Sequence, residues 1–104
     1  MDTTIDVIRN YLAFLRHSKI FIEKAYLFGS YAKNKFDENS DIDIALILKS
    51  LPDDQKFDMQ VQLLLIATEF DTRIEPHPFA SSDFNHLNPF ASEIMRTGFE
   101  IKLD

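Results

Sequence analysis

The sequence predicts an α+β fold, a small mixed sheet with its helices packed on one side. Apolar residues recur at three- and four-residue steps over residues 5–15 and again over 57–70, while 25–28 and 44–48 are short unbroken apolar runs of strand length. Turn-forming residues stand between them, notably Gly29-Ser30 and Ser50 to Pro52. At 104 residues and 12.1 kDa the chain suits one domain over 1–104, and 45% apolar residues with ten phenylalanines are enough to close a core.

Thr3 followed by Asp6 marks a helix start, and Ile5, Ile8, Leu12 and Leu15 then define a buried stripe with Arg9, Asn10 and Arg16 facing outward. His17 ends this helix, where a positive side chain suits the dipole. Residues 20–28 are strand-like, with Glu23 and Lys24 expected to turn the chain before 25–28. Gly29, one of only two glycines, stops the apolar run. A glycine there lets the main chain turn sharply and approach a ligand, and successive N–H groups in such a turn accept phosphate oxygens; Ser30 adds a hydroxyl. Residues 31–34 are expected to form a short helix whose first N–H groups face the phosphates. Lys33 and Lys35 read first as solvated surface and second as phosphate contacts.

In the connection 35–40, Asp37, Asn39 and Asp41 fall at alternate positions as in a calcium loop. That loop needs glycine at its sixth position and glutamate at its twelfth, and Ile42 and Leu48 stand there instead. Asp41 and Asp43 lead the next strand and share one face, since the strand period is two. Two carboxylates so close repel each other unless a cation lies between them, and a hard ion such as Mg²⁺ prefers such oxygens.

Ser50, Pro52 and Asp53 open a long helix expected to run to about Phe70. Phe57, Val61, Leu64 and Thr68 mark one face and Leu63, Ile66, Ala67 and Phe70 widen it, so packing against the sheet over much of the girth is expected. Residues 71–77 read as a third strand, ended by Pro76 and Pro78. His77 and His86 lack zinc-ligand spacing and are assigned to loop or hydrogen-bonding roles. Asn88 caps a helix with Pro89 in its first turn and Gly98 at its end, and 99–103 alternates as an edge strand would.

Gly29-Ser30, ten intervening residues, then Asp41-Ile42-Asp43 resembles the signature of the polymerase-beta-like nucleotidyltransferase superfamily. The fuller string, GSYAK through SDIDIALIL, and the later RIEPHPF are similar to its smallest members, the minimal nucleotidyltransferase (MNT) antitoxins paired with HEPN-domain toxins. Many relatives have glycine where this chain has Asn34; asparagine tolerates the left-handed backbone such a position needs. The resemblance implies the polymerase-beta-like fold and a third carboxylate on the neighbouring strand, at Glu75, with Asp71 the weaker candidate. The family often has aspartate at the Glu75 position. It implies ATP as donor, two Mg²⁺ ions held by Asp41, Asp43 and Glu75, triphosphate held at Gly29 and Ser30, and transfer of AMP to a tyrosine of the HEPN toxin. The alternative is a catalytically inactive antitoxin that neutralises its toxin by direct binding. A third reading, transfer to a small molecule, requires a pocket completed by dimerisation.

Composition narrows the partners. A net charge of −6 argues against a generic nucleic-acid binder. The chain has no cysteine, which excludes disulfides, thiolate metal sites and cysteine nucleophiles. No apolar run is long enough to span a bilayer and no signal-peptide pattern opens the chain, so a cytoplasmic protein is expected. Because no residues are left over for an acceptor-binding domain, the acceptor is expected on a partner.

Overall fold

The structure, a computed structural model, describes residues 3–37 and 39–103. Helix α1 (Thr4–His17) leads into strand β1 (Ile22–Phe28), the phosphate-turn candidate, and strand β2 (Ile42–Leu48). A 3-10 turn at Asp53–Gln55 opens helix α2 (Lys56–Ala67), followed by strand β3 (Ile74–Ala80), helix α3 (Pro89–Thr97) and strand β4 (Phe99–Ile101). The strands lie in the order β3-β2-β1-β4, with β2 and β3 parallel and the other neighbours antiparallel. This is the expected mixed sheet.

Alternation along the strands builds two different faces. Ile42, Ile44, Leu46 and Leu48 of β2, Ala25 and Leu27 of β1 and Ile74 of β3 enter one aliphatic cluster with Ile8, Tyr11, Leu12 and Leu15 of α1 and Leu63 and Ala67 of α2. The buried Tyr11 hydroxyl donates to the Leu63 carbonyl at 2.8 Å and fastens α1 to α2, and burial pushes its pKa well above the ordinary phenol value. On the opposite face Ala45 and Ile47 meet Ile94 of α3, with Tyr26, Phe28, Phe79 and Phe84 packed around them. The expectation of helices on one side therefore holds for α1 and α2 only. Ile94 is buried on the far side because α3 follows β3 and a 3-10 turn at Ser81–Asp83 that carries the chain around the sheet.

Three local expectations are corrected by packing. Glu23 and Lys24 do not turn the chain; they sit in β1, where the register with β2 shifts between Ile22 and Lys24 as a β-bulge. Pro76 and Pro78 do not end β3, which runs on to Ala80. Because β3 is an edge strand, prolines can face the open side without breaking the ladder to β2, and the Pro76 carbonyl is covered by the Gln60 amide at 2.6 Å. In α2 it is Leu63 and Ala67 that are buried, whereas Phe57, Val61 and Leu64 point to solvent. The α3 expectation holds: the Asn88 side chain accepts from the N–H groups of Phe90 and Ala91, and Pro89 occupies the first turn.

Candidate active site

The loop from Gly29 to Lys35 is one helical turn with a left-handed close. Lys33 N–H donates to Gly29 O at 3.2 Å, Asn34 N–H to Tyr31 O at 3.3 Å and Lys35 N–H to Ser30 O at 2.9 Å. Asn34 has φ 57°, so it fills the left-handed position expected of it. Turns replace the short helix expected over 31–34. The N–H groups of Ser30, Tyr31 and Ala32 donate to no backbone carbonyl among the described residues, as the leading donors of such a turn do. Ser30 is exposed.

Two features hold this turn in place. The Tyr31 ring stacks on Phe36 at 4.1 Å and 10° between planes, and its hydroxyl accepts from Arg73 Nη1 at 2.7 Å. Arg73 in turn clamps Asp71 through Nη2 at 2.8 Å and Nε at 3.1 Å. Both Asp71 oxygens are thereby used, and the guanidinium holds its carboxyl below the usual range. The weaker candidate for third carboxylate is thus a structural clamp. Within the 35–40 connection Asp37 Oδ1 accepts from the Asn39 N–H at 2.8 Å, a turn role, while Glu38 lies outside the described residues.

Gly29 is needed twice over. Its φ is 72°, which disfavours any side chain, and a Cβ placed on it would collide with the Asp43 Oδ2 atom. The glycine backbone is therefore a wall of the space around the Asp43 carboxylate.

Strand register assembles the carboxylates. Asp43 pairs with Glu75 across the parallel β2–β3 ladder, and Asp41 precedes Asp43 at the strand period. Glu75's pKa is raised, first by a hydrogen bond shared with the Asp41 carboxyl, then by desolvation and the negative charges of Asp41 and Asp43, with His77 partly offsetting. All three carboxylates thus lie together on the face opposite α1 and α2. Among the described residues no three His, Asp or Glu side chains stand close enough together to hold a metal ion as they are. The donor set is nonetheless all oxygen and mutually repulsive, which is the chemistry a hard cation relieves.

One neighbour is not apparent from motif spacing. His77 Nε2 lies 3.1 Å from Asp43 Oδ1, with side chains 28% and 24% exposed. Its ring meets Phe28 edge-on at 5.1 Å and Phe90 at 6.1 Å. Strand parity was the available signal, since residue 77 shares a face with 75. His86 is exposed in the loop before α3, and no helix among the described residues is long and apolar enough to cross a membrane.

Comparison with known proteins bears on the family and the fold. Residues 10–102 match the family model described as polymerase beta, nucleotidyltransferase. A protein of Methanocaldococcus jannaschii named putative protein adenylyltransferase is 42% identical over 31 residues, 30% of this chain and 31% of that one, so the match spans less than a third of that relative. Two solved structures share the fold. One is described as a putative nucleotidyltransferase from Sulfolobus solfataricus, with TM-score 0.65, 16% identity, and coverage of 92% of this chain and 77% of that one. The other is a toxin-antitoxin with AMP-PNP, with TM-score 0.62, 21% identity, and coverage of 92% and 73%. Since the match to the family model spans residues 10–102, nearly the whole chain, the chain belongs to the polymerase beta nucleotidyltransferase family.

Proposed function

We propose that the protein is a nucleotidyltransferase that moves AMP from ATP onto a tyrosine of a HEPN-domain toxin and so serves as the antitoxin of the pair. The observation that carries the chemistry is the register setting Glu75 abreast of Asp43, with Asp41 on the same face and Gly29 backing the Asp43 carboxylate. Family membership supplies the reaction class. The adenylyltransferase name of the M. jannaschii relative and the toxin-antitoxin with AMP-PNP among the fold neighbours support a protein acceptor and an adenine nucleotide.

Asp41, Asp43 and Glu75 would hold Mg²⁺, two ions in this reading; when bound, the metal offsets triphosphate charge and lowers the pKa of the attacking hydroxyl. Gly29 and Ser30 would hold the β and γ phosphates through the leading N–H groups of the turn and the Ser30 hydroxyl. The tyrosine oxygen forms a bond to the α-phosphorus as the bond from that phosphorus to its bridging oxygen breaks, and pyrophosphate leaves with the electron pair. Glu75 would take the tyrosine proton. His77 acts through Asp43 as a positioning residue, and Phe28 and Phe90 wall the His77 side of the site.

The test is to incubate the purified toxin with this protein, Mg²⁺ and α-labelled ATP. Label should appear on a toxin tyrosine with release of pyrophosphate, neutralisation should need nucleotide, and Asp43→Asn and Glu75→Gln should abolish both. Neutralisation that proceeds equally without ATP would overturn the transfer reading in favour of an antitoxin that acts by covering its toxin.

A further inference from the structure

Helix α2 departs from the pattern of its neighbours. A helix on the surface of a small domain is apolar where it is buried and polar elsewhere, and one that is apolar on every side is expected to be covered on every side. α2 buries Leu63 and Ala67 and half-buries Met59 and Ile66 against the core, yet its far side is apolar as well. Phe57 is 77% exposed, Val61 39%, Leu64 42% and Leu65 64%. Steps of three and four residues from Phe57 through Val61 to Leu64, with Leu65 beside them, make one stripe facing away from the sheet. In α1, by contrast, the exposed positions are mainly polar, and the exposed Phe14 ring lies on Phe70 at 5.7 Å.

The border of the stripe decides what can cover it. Asp54, Asp58 and Glu69 are exposed along it. Lys56, the one cationic residue in the sequence from Asp53 to Asp71, is bridged to Asp53 and Asp83 at 3.2 Å each. A second copy pairing α2 with α2 antiparallel would bring Glu69 toward Asp54 and Asp58 of its twin, and a parallel pairing would set each acid against itself. Like charges around an apolar contact oppose it, whereas basic residues would complete it.

We propose that the outer face of α2 is a docking surface for a partner protein that presents an amphipathic helix whose apolar ridge is bordered by Lys and Arg. The proposal is independent of the transfer chemistry, because the stripe and the carboxylates lie on opposite sides of the sheet.

Two designed helical peptides of equal length test it, sharing one leucine ridge and differing only in Lys or Glu along its borders. Fluorescence anisotropy with the whole protein should show the Lys-bordered peptide binding at least about tenfold tighter, the gap narrowing as salt is raised. The double variant Phe57→Asp, Leu65→Glu should weaken that binding by about tenfold or more while its circular dichroism stays unchanged, both positions being exposed. Asp43→Asn should leave peptide binding as it is. Equal affinity for the two peptides, binding to neither, or binding indifferent to the double variant would overturn the proposal. So would sedimentation of the wild type as a dimer that the double variant dissociates, since the face would then belong to a second copy.

Discussion

The two faces of the sheet are cut from the same strands and serve opposite ends. On the α1–α2 side, Ile42, Ile44, Leu46 and Leu48 are each no more than 2% exposed and make a sealed aliphatic layer. On the α3 side, β2 presents Asp43 and then Ala45 and Ile47, with Asp41 just ahead of it, so the face is carboxylate at one end and apolar at the other. One strand can thus line the core and still carry clustered carboxylates if the charges are confined to its leading positions, beside the Gly29 turn. The raised pKa of Glu75 marks the electrostatic cost of that arrangement.

Substitutions should separate the faces. The largest expected effect is on activity: Asp43→Asn should lower AMP transfer by about 10³-fold or more, with the thermal midpoint unchanged or raised because a repulsive charge is gone. Label transfer and a melting curve on the same preparation check both halves. On the sealed face Leu46→Ala should cost about 3 kcal/mol in urea unfolding without a specific loss of nucleotide binding in the folded fraction. Gly29→Ala joins the two effects. Forcing an alanine to positive φ costs about 1–3 kcal/mol, and the new Cβ must displace the Asp43 carboxylate, so nucleotide affinity should fall along with stability.

The smallest expected effects are in pH dependence, and they have opposite signs. Asp71 has its pKa lowered by Arg73, so its contribution is present above the unfolded value of about 3.9 and is lost as pH falls through the lower folded value. Asp71→Asn should remove that part of the acid-side slope and cost about 1 kcal/mol at neutral pH. Glu75 has its pKa raised, so the folded state holds the proton longer and stability falls as pH rises through the unfolded value of about 4.3 toward the folded one. Glu75→Gln should flatten that fall and slightly raise the neutral-pH midpoint of the metal-free protein. Urea midpoints across the acid range measure both.

What could be read from residues alone was largely what period and turn chemistry determine. The two-residue period of a strand put Asp41 and Asp43 on one face, scarcity pointed to Gly29, and Asn34 proved able to take the left-handed position. Long-range packing decided the rest. Nothing in local pattern says that Arg73 reaches the Tyr31 hydroxyl across 42 residues, or that Asp71 is consumed by that clamp. The prolines of β3 looked like terminators because an edge position, which makes them harmless, is a property of strand order. Sequence pattern gives α2 too wide a buried face, since an apolar residue on an outward stripe is indistinguishable from a core residue until its neighbours are known. His77 could have been found by extending the strand parity past Pro76.

The most direct measurement is a crystal of the protein grown with Mn²⁺ and a non-hydrolysable ATP analogue. Anomalous peaks between the carboxylates of Asp41, Asp43 and Glu75, with the terminal phosphates on the Gly29-Ser30 turn, are the expected result. Nucleotide bound elsewhere, or metal that ignores Glu75, would contradict the reading of this face as the transfer site.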